Sequence, residues 1–382
     1  RHASFDKRYC VILLPEDRAQ VTYSYQPNQD GDIALPTSIP LPPLGKTAET
    51  NGKKPQIWVI SDGTAGMRLQ AIALGEALIA TDITNQTSLA DIVIKPSWWL
   101  RHLPRLVPFL PKALLSPWLG SIGGRLNKDK PAIIITCGRR MAGTSIALNR
   151  LSKAYAVGTR TIHIQDPRLP PHYFDILIVP KHDPARGANV VTSLASLNRL
   201  DMSKIADAAS QLNEKWRALP APRVAVLLGG TNRRYGVSAI MAKDMAKRLA
   251  DFATKTGASL ALIPSRRTPA NLVTQLTAAL GSLPYAVMDQ AENNPYPGIL
   301  GLVDAVIVTS DSVNMISEAT ITGLPVLIAE WQSETGRIGA FHDAMMAAGH
   351  IAPMRDQLPQ DGFTPLVEMP AIVKSVLARL NS

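Results

Sequence analysis

Two doubly wound α/β halves in series are the architecture that this 382-residue sequence predicts. Three observations carry that expectation. Short, near-continuous apolar runs rich in β-branched residues recur along the chain, as parallel strands buried on both faces require. Amphipathic helical stretches separate them. A proline pair, Leu219-Pro220-Ala221-Pro222, interrupts the pattern near mid-chain and marks a boundary. The length exceeds what one ordinary core holds. Apolar residues at 46% against 18% charged place the chain among globular rather than disordered proteins.

Residues 1–54 read as an irregular, loosely packed extension. A Pro-rich stretch from Ala34 to Pro43 is followed by the polar run Lys46 to Lys54. From Ile57 the α/β rhythm begins. Strands are expected at Ile57–Ile60, Ala132–Thr136, Thr161–Ile164, Ile176–Val179 and Val190–Thr192, with helices at Leu69–Ala80, Met141–Ala154 and Lys204–Ala218. After the boundary, strands are expected at Val224–Leu228, Ser259–Ile263, Tyr285–Met288, Ala305–Thr309 and Pro325–Ala329. Helices fall at Val237–Thr256, Pro269–Leu280, Ser312–Thr322, Ile338–Ala348 and Leu366–Leu380. The halves are therefore placed at 55–220 and 221–382, each a Rossmann-like parallel sheet.

The charge balance is basic: 40 Lys+Arg against 30 Asp+Glu, a formal net charge of +10. Such a balance favours an anionic partner, whether nucleotide, phospholipid surface or nucleic acid. No nucleic-acid-binding module is recognisable, so nucleic acid is not expected. Cys10 and Cys137 are the only cysteines, which suggests neither a disulfide framework nor a cysteine metal site. Arg1 to Arg18 mix charges with one short apolar run and do not resemble a signal peptide. No apolar run approaches the roughly 20 residues that span a bilayer. A cytoplasmic protein is expected, with peripheral attachment at the inner face of a membrane left open.

In open parallel sheets ligands bind beyond the carboxyl ends of the strands, where helix starts present free N–H groups. The residues there are unusually polar. After the first strand comes Ser61-Asp62-Gly63-Thr64-Ala65-Gly66, whose Gly63 and Gly66 permit a tight turn close to a ligand. It is neither G-x-G-x-x-G nor a P-loop. Arg139-Arg140 follow a second strand, and Ser265-Arg266-Arg267-Thr268 a third, as pairs suited to phosphate or carboxylate. Gly229-Gly230 with Arg233 form a second glycine-rich turn. Thr309, Asp311 and Ser312 supply hydroxyls and helix-start N–H groups for a pyrophosphate. Asn314, Ser317 and Glu318 follow, with Glu318 about two turns in and placed to accept ribose hydroxyls. Two His–carboxylate groupings, His163–Asp166 and His182–Asp183, offer too few ligands at close spacing for a metal, so none is expected. Asp166 and His182 remain acid/base candidates, and a strand-end His is more often structural.

One stretch differs in kind. Residues 92–128 contain Lys95, Arg101, Arg105, Lys112, Arg125 and Lys128, no Asp or Glu, and Trp98, Trp99 and Trp118 among leucines and prolines. That composition suits an interfacial segment on anionic headgroups. It equally suits a helix–loop–helix insertion whose Trp and Leu are core.

Several of these runs, taken together, resemble the mitochondrial fission "elongated mitochondria" (ELM) family. They are Trp58–Gly63 with Gly66 and Gln70, Cys137–Arg140, Ile164–Arg168, His182-Asp183, Asn189, Asn198, Gly229-Gly230, Ser265–Thr268, Glu292 with Asn294-Pro295-Tyr296, and Thr309–Ala319. The similarity extends over roughly residues 56–350. Asn293 is inserted relative to that pattern, and Ala195 stands where a Gly is common. The resemblance implies a glycosyltransferase-B-type architecture and adds Asn294 and Tyr296 to the candidate site. Bacterial members are often labelled nucleoside-diphosphate-sugar epimerases, and the plant member is tied to mitochondrial division. The second half is also similar in pattern to the donor half of the N-acetylglucosaminyltransferase of peptidoglycan synthesis.

Three functions are thereby open. The first is metal-independent transfer from a nucleoside-diphosphate sugar, a substrate rather than a cofactor, to a lipid-linked or envelope acceptor, with Asp62 as base. The second is epimerisation of such a sugar through Asp166 and His182. The third is a non-catalytic scaffold at a membrane surface.

Overall fold

The computed structural model of the chain describes residues 56–82, 87–231, 236–289 and 294–381. The extension expected over 1–54 lies outside them. The first half runs β1 (Gln56–Ser61), α1 (Ala65–Ile79), β2 (Ser88–Val93), α2 (Trp98–His102), α3 (Lys112–Trp118), α4 (Ser121–Asp129), β3 (Ile133–Cys137), α5 (Ala142–Ala154), β4 (Arg160–Ile164), β5 (Ile176–Pro180) and β6 (Val190–Ser193). Two short helices follow, α6 (Met202–Ser210) and α7 (Glu214–Arg217). Then come β7 (Arg223–Leu228), α8 (Ala239–Thr256), β8 (Ser259–Pro264), α9 (Ala270–Leu280), β9 (Tyr285–Val287), α10 (Tyr296–Leu300), β10 (Ala305–Thr309), α11 (Val313–Ala319), β11 (Val326–Ala329), α12 (Gly336–Ala347), β12 (Ala352–Pro353) and α13 (Met369–Asn381).

Each half is a six-stranded parallel sheet, ordered β2-β1-β3-β4-β5-β6 and β12-β11-β10-β7-β8-β9. Strand residues alternate between two apolar layers. In β1, Ile57 and Val59 pack with α1 and α13, while Trp58 and Ile60 pack with α2 to α5. In β7, Val224, Val226 and Leu228 face α8 and α9, and Ala225 and Leu227 face the other helix layer. Helices on both faces explain the near-continuous apolar strands.

The strand order sets the site. In the first sheet the chain turns from one side of β1 to the other, so β1 and β3 are neighbours. In the second the same reversal makes β7 and β10 neighbours. Loops leaving the carboxyl ends at such a reversal diverge and leave a crevice between them.

Several expectations need correction. β2 is an edge strand whose Ser88, Ala90 and Asp91 break the apolar run, and pairing with β1 holds it in place. The helix expected over Lys204–Ala218 is two, α6 and α7. Their Ile205 and Trp216 are buried against Ala225, Leu227 and Val306 of the second half. The chain therefore crosses between halves near 194–200, well before the prolines at 220 and 222. There the Glu368 carboxylate accepts the N–H groups of Leu194 (2.7 Å) and Ala195 (2.9 Å). It crosses back at the end. Ile372, Val373, Val376 and Leu377 of α13 are buried with residues of the first half.

Candidate functional site

In the second half, the turn after β7 is built around a buried carboxylate. The Thr309 hydroxyl accepts the Gly229 N–H (2.7 Å) and donates to Asp311 Oδ1 (2.8 Å). Asp311 also takes the Gly230 N–H (3.1 Å), the Trp331 indole N–H (3.0 Å) and Arg267 Nη1 (2.9 Å). The loop from 265 to 268 closes onto the same strand end. Thr268 donates to the Leu228 carbonyl (2.6 Å) and accepts the Ser265 N–H (2.8 Å), while Ser265 Oγ accepts the Arg267 N–H (3.2 Å). A Cβ on Gly230 would sit 2.1 Å from the Arg267 carbonyl oxygen, and one on Gly229 2.2 Å from Asp311 Oδ1. Only glycine fits either position.

Gly230, Arg267 and the Ser312 helix start thus converge. Several neighbouring candidates are tied into the loops themselves. Thr309, Asp311 and Thr268 are the scaffold of the loops, with hydrogen bonds already committed. Arg266 and part of Arg267 remain exposed to solvent. Ser312 is nearly buried and makes no side-chain cap on α11. Arg233 lies outside the described residues.

In the first half, Asp62 follows β1. Its Oδ1 accepts the Thr64 N–H (3.0 Å) and its Oδ2 faces Arg140 Nη1 (3.5 Å). Burial works to raise the Asp62 pKa, but Thr64 and Arg140 outweigh it and hold the carboxyl below its ordinary value. Gly63, at φ +80°, lets the chain turn into α1.

The two halves touch at these loops. A Cβ on Gly66 would lie 2.6 Å from Asn314 Nδ2, so α1 and α11 start against one another. Ser317 holds the crossover: its hydroxyl accepts the Ser196 N–H (3.0 Å) and donates to the Val313 carbonyl (2.7 Å).

Arg337, at the start of α12, reaches across to Asp166 Oδ2 (3.2 Å) and Asp183 Oδ1 (3.0 Å). Both carboxylates are buried. Arg139 and Arg168 lie close by; burial and then the charges of Arg337 and Arg168 lower the Arg139 pKa. Three guanidiniums around two carboxylates leave a net positive spot. Asp166 is flanked by Gln165 (φ +74°) and Arg168 (φ +56°), non-glycine residues in the left-handed region. Such strain persists where surrounding structure over-determines it, often at functional sites. Burial raises the Asp183 pKa against Arg337, and burial lowers that of His182 against Asp183. His163, by contrast, is structural: it is buried, bonded to Thr136 Oγ1 (2.8 Å), stacked on Phe174 and pushed down to about 3 by burial.

Glu318 is raised to about 7, chiefly by burial, with the Tyr296 phenol pulling it back. Tyr296 begins α10, and Asn294 is exposed just before it. Glu292 lies outside the described residues. Arg337, Asp183 and Arg168 were not among the candidates drawn from sequence. Arg337 had a signal, since it follows a strand (β11) and opens a helix as the other candidates do.

Two parallel α/β halves whose strand-end loops face one another define the glycosyltransferase-B class of fold. Within that class, the chain belongs to the family described as Mitochondrial fission ELM1, whose pattern matches residues 65–380. It is 31% identical over 255 residues to the Mitochondrial fission protein ELM1 of Arabidopsis thaliana, covering 59% of this chain and 57% of that protein. It is 27% identical over 305 residues to the uncharacterized protein RP120 of Rickettsia prowazekii, covering 71% and 82%. Among solved structures, Acinetobacter baumannii MurG has a TM-score of 0.48 at 10% identity, over 85% of this chain and 94% of its own. A putative UDP-N-acetylglucosamine 2-epimerase from Listeria monocytogenes has 0.49 at 11%, over 86% and 88%.

Proposed function

We propose that this chain is a metal-independent glycosyltransferase, taking a nucleoside-diphosphate sugar between its halves and acting on a lipid-linked or envelope acceptor. The observation that carries it is the convergence of Gly229-Gly230, Arg267 and the Ser312 helix start at the reversal point of the second sheet. The glycines let the strand end pack tightly against Asp311 and the Arg267 backbone, which holds exposed Arg266 and Arg267 where they supply charge opposing a pyrophosphate. In the reaction, an acceptor hydroxyl attacks the anomeric carbon as the bond to the diphosphate oxygen breaks. The hydroxyl proton passes to the Asp62 carboxylate, which Thr64 and Arg140 hold in its ionised form. The diphosphate leaves against the arginines, which supply the charge a metal would otherwise bring. The test is release of nucleoside diphosphate from a panel of nucleotide sugars with lipid acceptors present. Turnover that drops at least about a hundredfold in Arg267→Ala supports the reading; no release from any donor overturns it.

A second reading is epimerisation of the same sugar class. Asp183 and His182, with pKa values displaced in opposite directions, favour it as an acid/base pair beside Asp166. Solvent deuterium in recovered nucleotide sugar would select it over transfer. The third, a non-catalytic scaffold, predicts that Arg267→Ala and Glu318→Ala leave function intact.

A further inference from the structure

We infer that the face formed by α2, α3 and the loop between them docks onto an anionic lipid bilayer. The inference is independent of the chemistry in the cleft. The segment divides its apolar residues between two sides. Leu100, Val107, Leu115, Leu119, Ile122 and Leu126 are buried in the first half's core, as an ordinary insertion requires. Trp98 (58% exposed), Trp99 (50%), Leu106 (52%) and Phe109 (78%) point outward. Four large apolar side chains left in water within a dozen residues mark an interaction surface rather than scattered exposure.

The exposed side chains are held, not loose. Trp99 stacks on Trp118 at 5.8 Å and meets Trp98 edge-on at 5.1 Å, tying α2 to α3. Arg150 donates to the Val107 and Leu110 carbonyls, both at 2.7 Å, and so fixes the loop that carries Phe109. Trp99, Leu103, Leu106, Leu110 and Trp118 line a wholly apolar cleft of about 120 Å³ at the surface.

Charge identifies the occupant. Residues 92–128 contain six Lys and Arg and no acidic residue. The acids at either flank are taken: Asp91 by Arg68, and Asp129 by Arg125 at 3.2 Å. Lys95, Arg101, Arg105 and Lys112 have no carboxylate partner among the described residues, and all four are exposed. Exposed tryptophan and phenylalanine interspersed along the segment with unpaired, exposed cations match the headgroup boundary of an anionic membrane, apolar below and negative above. No helix among the described residues is long and apolar enough to cross a membrane.

The test is co-sedimentation with phosphatidylcholine vesicles, with and without phosphatidylglycerol, using the whole chain. Binding is expected only with phosphatidylglycerol, and it should fall as salt rises. Phe109→Ala with Leu106→Ala should weaken it about tenfold, as should Arg105→Glu with Lys112→Glu. Both pairs are exposed, so the thermal midpoint should hold. Arg267→Ala should bind vesicles as the parent does, which separates this face from the cleft. Vesicle binding that both double variants retain would overturn the inference. So would a parent chain that self-associates through this face and ignores vesicles.

Discussion

Glu318 owes its raised pKa, about 7 against an ordinary 4.5, mainly to burial beside α10. Between those values the native state keeps a proton that the unfolded chain has lost, so stability falls as pH rises through the window. The effect is at most about 3–4 kcal/mol. Glu318→Gln should flatten that slope, as followed by urea unfolding at about pH 5 and about pH 8; an unchanged slope would show that the carboxyl titrates normally. The residue was legible in sequence as a Glu on the helix after a hydroxyl-rich strand end, but its titration was not, since Tyr296 and burial come from packing. The same holds for the arginines. Two Arg pairs could be picked out by position, whereas Arg337 gains its meaning only from Asp183 and from Asp166, the latter 171 residues away in sequence. Asp311 was legible by position but not by partner. Its position suggested a ligand contact, and folding also ties it to Gly230, Trp331 and Arg267, partners that no sequence pattern announces.

At the level of elements, strands announced themselves wherever both faces are buried. β10 was expected at its observed bounds, and β8 differs by one residue at its end. β2 escaped because an edge strand needs no continuous apolar run. The closing helix was legible as amphipathic, but nothing in its periodicity says which sheet it covers. Its burial against Ile57, Ile133 and Ile162 makes it part of the first half. Leu377→Ala should therefore destabilise the protein by about 2–5 kcal/mol, as core truncations do. Urea unfolding measures it. A loss near the roughly 0.5 kcal/mol of a surface change would mean that α13 is not docked there.

For the whole molecule, two sheets in series were readable, but not the order of their strands, which depends on pairing over long sequence separations. That order carries the functional argument. It puts β1 beside β3 and β7 beside β10, and so brings Asp62 to Arg140 and Gly230 to Asp311. Contacts from Gly66 to Asn314 and from Arg337 to Asp166 then set the two strand-end regions against one another. If they form one anion site, both halves must contribute to holding a nucleoside diphosphate. Calorimetric titration of UDP, GDP, ADP and CDP into the parent chain, Arg267→Ala and Arg139→Ala measures this directly. Saturable binding of at least one nucleotide, weakened about tenfold by each substitution, is the expected result. Absence of binding by every nucleotide, or sensitivity to only one of the two arginines, would contradict a shared site.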